Sequence, residues 1–293
     1  MSEPGARIYD VGYRSYDGPR RPPRWAILTV GLHAVQRVLG LRRSFRHKVL
    51  PFLAIVIAFL PAIVTIVVAV MLDDVLEVGD ELTTYGDYYF FIASAIALFA
   101  AFVAPEALCT DRRTGMLGLY LAGPLDRGRY LLAKAAAVVG VMLLMTLAPP
   151  LFLMLAYAVE GLGPSASELP GLALRIVVTG LSIAVLFAAV GLGASSLTTR
   201  KAIAGVVMVL IVLVPGIVAE VAIESSGAPD ALALAGLLPL ATELPLRVFG
   251  EETTDGGAIE RLSTAAIVAG VVAWTLLGAA VTWLSYRRIE ARQ

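Results

Sequence analysis

Side chains capable of covalent or metal chemistry are scarce in this chain of 293 residues. Its one cysteine, Cys109, excludes an internal disulfide and a cysteine-built zinc or iron–sulfur site. The two histidines, His33 and His47, both precede the first long apolar run. Serines inside the apolar runs, such as Ser94 and Ser182, therefore have no histidine at their depth to act as a base, and H-E-x-x-H does not occur. The three lysines, Lys48, Lys134 and Lys201, follow no glycine-rich loop, and G-x-x-x-x-G-K-[ST] is missing. The chain is expected to hold no metal and no cofactor, and to leave any nucleotide chemistry to another polypeptide.

Three segments carry what remains. The first runs from Glu106 to Lys134 and opens with an acid–arginine cluster, Glu106, Asp111, Arg112 and Arg113, followed by Gly115. A short apolar helix follows, with Met116, Leu117, Leu119 and Tyr120, then a break at Gly123-Pro124 and a second basic group with Arg127, Arg129 and Lys134. So apolar a turn outside a span needs a cover: lipid, neighbouring helices or a partner protein. Glu106, just after Pro105, is expected to find Arg112 or Arg113 one to two turns on, either to close the loop or to take part in gating.

The second segment is Trp25–Lys48. Trp25, Leu28, Leu32, Val35 and Leu39 step by 3, 4, 3 and 4, while Arg37, Arg42, Arg43, Arg46 and Lys48 crowd the remaining positions. This predicts an amphipathic helix in the membrane interface, where each basic residue near anionic lipid contributes about 1 kcal/mol. Nucleic acid is not expected as a partner, because the next residues enter the bilayer. Before it, Ile8–Arg20 repeats Tyr-Asp and ends in Gly-Pro, which predicts an extended strap against a protein surface or headgroups, or a partly disordered tail. The third segment follows Pro215-Gly216, which is expected to interrupt the fifth span, with Glu220 and Glu224 close behind. Its eleven-residue apolar run Ala231–Ala241, which includes Leu237 and Pro239, is too short to cross, and Leu244–Phe249, with Pro245, looks like a return leg. A re-entrant hairpin or a helix resting on the outer leaflet fits this pattern.

The elements that must hold these segments are membrane spans. The chain is 58% hydrophobic and 16% charged, with mean hydropathy +0.82, against about 25% charge in soluble domains. Six spans are predicted, at about 50–72, 89–108, 135–159, 176–197, 202–219 and 265–286, after an N-terminal region 1–49. They are apolar all round, which fits helices and excludes a transmembrane barrel. Of the 23 basic residues, 19 fall on one side, and the opposite first loop is acidic, with Asp73, Asp74, Glu77, Asp80, Glu81 and Asp87. Both termini are therefore expected in the cytoplasm. The polar opening Met1–Arg24 is not expected to be a cleavable signal peptide. Pro149-Pro150 should kink the third span, and Gly191–Ser196 should let another helix come close.

With these residues in place, the Glu106–Lys134 loop resembles that of type-2 ATP-binding-cassette export permeases. The shared pattern is an acid (Glu106), acid–arginine (Asp111-Arg112), glycine (Gly115), a leucine-rich turn (Leu117–Leu121), proline (Pro124), a basic residue (Arg129) and a lysine entering the third span (Lys134). Six spans, an interfacial N-terminal helix and a long last outer loop fit the same family. The resemblance implies an all-α polytopic fold whose loop is a coupling helix docked on a separate ATPase subunit, which binds the ATP and Mg2+. It also implies a homodimer or a pair with a paralogous permease, and the alanine-, arginine- and glycine-rich composition leads us to expect a bacterial plasma membrane. A force-transmitting subunit that moves no cargo is the alternative within that family. A secondary transporter is disfavoured by the lack of ionisable groups near the middle of the spans.

Overall fold

The computed structural model describes residues 18, 23–41, 44–73, 84–121, 125–251 and 257–290. The Tyr-Asp strap apart from Gly18, the acidic residues Asp74, Glu77, Asp80 and Glu81, and Pro124 lie outside the described residues. The chain is all-helical, 86% helix with no strand among the described residues. Its elements are α1 (Pro23–Val38), α2 (Arg46–Asp73), α3 (Tyr85–Arg113), α4 (Met116–Leu121) and α5 (Arg127–Thr146). They continue with α6 (Ala148–Glu160), α7 (Leu169–Ser196), α8 (Lys201–Ser226), α9 (Leu237–Phe249) and α10 (Thr264–Glu290). Six helical stretches are long and apolar enough to cross a membrane: α2, α3, α5 with α6, α7, α8 and α10. This is the fold of a multi-pass membrane protein.

Burial sorts these spans. In α3 and α7, 67% of the most apolar stretch is buried, against 17–22% in α2, α8 and α10. The first pair forms the centre, and the outer three turn leucine, valine and isoleucine faces outward. Glycine sets the closest approaches. A methyl on Gly191 would meet Ala104 of α3 at 2.7 Å, and one on Gly278 of α10 would meet the Ala189 backbone of α7 at 2.5 Å. The small-residue run thus serves two neighbours, α3 and α10.

The prolines act as their chemistry requires. The third span breaks at Leu147, and Pro149 and Pro150 begin α6. Pro150 has no N–H for the Thr146 carbonyl one turn back, and the Tyr89 hydroxyl donates to that carbonyl instead, at 2.8 Å. The fifth span corrects an expectation. Pro215-Gly216 does not interrupt it, and α8 runs unbroken to Ser226. Gly216 lies in a packed crossing, where a methyl would stand 3.3 Å from Gly236 Cα. The predicted return leg is likewise no separate arm. Leu244–Phe249 is the second half of α9, which follows a 3₁₀ turn at Asp230–Ala235. Leu237 and Leu240 are wholly buried, and α9 packs on α3, α8 and α10, with Pro245 inside it.

Candidate functional site

The charged residues singled out by type converge at one end of α3. Asp111, in its last turn, is completely buried and is shared by two elements distant in sequence. Arg37 of α1 pairs with its Oδ1. Lys134 of α5 reaches Oδ2 at 2.7 Å, and the Tyr130 hydroxyl donates to the same oxygen at 2.9 Å. Lys134 also lies 5.8 Å from the Tyr120 ring centre and 5.6 Å from that of Tyr130, which adds cation–π attraction. Burial opposes the Arg37 charge, but Asp111 outweighs it and holds the guanidinium above its ordinary pKa.

The neighbouring residues tie two further helices to the same end. Arg112 donates to the Ser196 carbonyl at 2.5 Å and more weakly to that of Thr198, satisfying acceptors left over where α7 ends. Glu106 pairs with Lys201 at the start of α8. This corrects the expected bond to Arg112 or Arg113, since Arg112 is turned to α7 and Arg113 is exposed. Cys109 is buried against the Ser195 carbonyl, 3.5 Å from its thiol. One end of α3 thus holds α1, α5, α7 and α8 through Asp111, Arg112 and Glu106.

The short helix α4 hangs directly from this hub. Gly115 makes the turn with φ +72°, in the left-handed region that favours glycine. Leu117 is buried, Met116 and Tyr120 are half-buried, and Leu119 is 69% exposed. The Tyr120 and Tyr130 rings lie 5.8 Å apart, so α4 touches the residues that hold Asp111. Arg129 is exposed and pairs with Asp126, whose carboxylate caps α5.

The predicted stripe on α1 is divided. Trp25, Leu28 and Leu32 are exposed, Val35 and Leu39 are half-buried, and Val30, Ala34 and Val38 are the buried positions. α1 packs on α5, which brings Arg37 to Asp111. Between α3 and α8 lies an open groove of about 650 Å³, with Leu98, Phe102, Val206 and Leu210 in its walls and Glu106 with Lys201 at one end.

The third segment lies at the opposite end. Glu220 accepts from the Ala258 N–H at 3.4 Å, and Glu243 of α9 is buried against Arg247 at 2.6 Å. Arg261 and Asp230 form a two-bond pair that holds the Asp230 carboxyl below its ordinary value. Leu237 is buried in the packing of α9, and Pro239 lies beside Gly216 and Gly236.

Sequence reasoning missed Lys134, Tyr130, Lys201 and Arg37 as partners. Lys134 carried a usable signal: a lone lysine inside the apolar stretch Tyr130–Val141 requires an acidic partner. No group of three or more metal-binding side chains occurs among the described residues. No model of a known protein family matches the chain, and no curated protein is significantly similar to it.

Proposed function

We propose that this chain is the membrane-spanning permease subunit of an ATP-driven export transporter, working as a dimer with separate ATPase subunits. The observation that carries the proposal is the direct link from α4 to the hub. A short helix with one exposed leucine is joined through Gly115 and Tyr120 to a buried charge cluster that holds four other helices. A displacement imposed on α4 therefore moves α3 together with α1 and α5, and reaches α7 and α8 as well.

In this reading α4 is the coupling helix, and Leu119 enters a groove on the ATPase subunit. α1 lies in the membrane interface, with Trp25, Leu28 and Leu32 toward lipid and Arg37 toward the hub. The basic ends face the cytoplasm of a bacterial cell, an orientation supported by 19 of the 23 basic residues falling on one side of the predicted spans. The ATPase partner binds the ATP and Mg2+. The pathway follows the groove between α3 and α8, and α9 with its preceding turn re-enters the outer side of the membrane near the exit. Closure of the ATPases rocks the two six-span halves between inward- and outward-open states.

The test is purification of the full chain from its native host in mild detergent, with ATP hydrolysis measured in the eluate. The proposal expects a Walker-motif subunit to co-elute. Leu119→Arg should remove that subunit while Cys109 stays protected from thiol reagents, because Leu119 makes no part of the buried core. A clean single chain without hydrolysis would overturn the proposal.

A further inference from the structure

The charge pairs at the end of α3 divide by exposure. Asp111 and Lys134 have side chains 0% and 2% exposed. Parting them leaves a charge buried without its partner, which shifts an equilibrium by more than about a hundredfold. Glu106 and Lys201 have side chains 17% and 32% exposed. Water reaches both, so parting them shifts the same equilibrium by about fivefold at most. Motion at this end of the bundle therefore opens the Glu106–Lys201 pair first. That frees the start of α8 from α3 and leaves α1, α3 and α5 joined through Asp111.

The packing of α8 points the same way. It buries a single row, Ala204, Met208, Val212, Ala219 and Ile223. Next to Lys201 its contact with α3 is made by Gly205, where a methyl would stand 3.0 Å from the Ala101 carbonyl. A glycine leaving a backbone uncovers little apolar surface, so this crossing adds little to the pair. α7 does not follow α8. Arg112 holds the Ser196 carbonyl at its end, while Gly191 packs on α3 and Gly193 on α10. The two helices are joined by residues 197–200, which are not helical and can flex. Further along, Gly216 rests on Gly236 and Pro239, a contact without interlocking side chains. Lys201 lies about 22 Å from that pivot along the helix, so a tilt of about 10° carries it about 4 Å.

We infer that α8 is a hinged wall of the α3–α8 groove and that the Glu106–Lys201 pair is the latch that holds its hub end shut. The latch opens while the Asp111 cluster stays closed. Glu106, Lys201 and Gly205 all line the groove, so releasing the latch widens it at that end. That the widening admits cargo rests on the export reading. The movement itself belongs to this chain alone and needs neither a nucleotide nor a partner.

Cys109 is placed to report the movement. It is buried one turn after Glu106, with its thiol 3.5 Å from the Ser195 and Thr198 carbonyls, beneath the connection that has to flex. The test is the rate at which an uncharged maleimide labels Cys109 in the full-length protein, in mild detergent and well below the unfolding midpoint. Lys201→Met and Glu106→Gln should each speed labelling by up to about fivefold, with the midpoint little changed. The double variant should label no faster than the faster single one, because either change alone removes the pair. The two substitutions alter the charge beside the thiol in opposite senses, so an effect on the thiolate alone would speed one and slow the other. A second thiol checks the other side of α3. Ala133→Cys, in a Cys109→Ala background, lies buried where Gly31 of α1 meets α5, and Lys201→Met should leave its labelling unchanged. Three results would overturn the inference: unchanged labelling of Cys109 in both single variants, opposite changes in the two, or a parallel rise at Ala133→Cys, which would mean that the whole end loosens together. Loss of the ATPase partner would leave all of these outcomes readable, since none depends on hydrolysis.

Discussion

Replacing Asp111 by asparagine tests whether the hub holds the bundle. The asparagine amide keeps the size and one acceptor, but it presents N–H groups to either Arg37 or the Lys134–Tyr130 side, both of which are donors. Lys134 has a side chain only 2% exposed and cannot turn to solvent, whereas Arg37, at 19%, can. Leaving a buried charge without its partner costs about 3–5 kcal/mol. At about 2–4 °C per kcal/mol in a chain of this size, the unfolding midpoint should fall by roughly 6–20 °C. Asp111→Asn with Lys134→Met removes both members, and the double variant should be more stable than Asp111→Asn alone, with a coupling of at least about 2 kcal/mol. The assay is built into the chain: Cys109 is its one cysteine and is buried beside Asp111. A maleimide that fluoresces on reaction therefore reports opening of this end of α3 on heating. If Asp111→Asn labels and melts like the unaltered protein, or if the two substitutions simply add, the hub is not what holds these helices.

Other positions give sharper local outcomes. Gly278→Ala forces a methyl to 2.5 Å from the Ala189 backbone and should cost about 1–3 kcal/mol, while Gly140→Ala, with nothing within 4 Å, should be neutral or slightly stabilising by thermal unfolding. Tyr89→Phe should cost about 1–3 kcal/mol, because the Thr146 carbonyl loses its donor. In a Pro150→Ala background, where residue 150 regains its N–H, the same change should cost less, as a double-mutant cycle would show. Since the Asp230 carboxyl is held below its ordinary 3.8 by Arg261, the pair contributes above that value and is lost as pH falls through the lowered one. Protection against hydrogen exchange around Asp230 and Arg261, taken relative to the intrinsic rate at each pH, should therefore fall in acid, and Asp230→Asn should abolish that dependence.

The six long apolar helices were legible in the sequence because each contains a long apolar run, and the structure has six helical stretches long and apolar enough to cross a membrane. Helix ends were not, because hydropathy reports the crossing and not the helix. α3 runs on to Arg113 and α8 to Ser226, past the apolar stretches. The importance of Glu106, Asp111 and Arg112 was visible from their types, but their partners were not. Arg37 lies 74 residues from Asp111 and Lys201 lies 95 from Glu106, and no local spacing announces such pairs. Pro215 misled for a different reason. Proline alone suggests a break, yet the neighbouring Gly216 sits against Gly236, and tertiary packing keeps the helix running. Proline at 149 and 150 did break its span, since two in succession remove consecutive donors.

The pairing of Glu106 with Lys201 has a consequence for biosynthesis. A ribosome adding about 5–20 residues per second takes roughly 5–20 s to make the 95 residues between them. Arg37 in α1 and Asp111 and Lys134 in the second and third spans all precede the fourth span, so their cluster can close while the chain is still being made. Glu106, in the second span, is made well before Lys201, its partner at the start of α8. The order of translation thus divides the bundle into an early half, fastened by Asp111, and a late half, fastened to it when the start of α8 emerges.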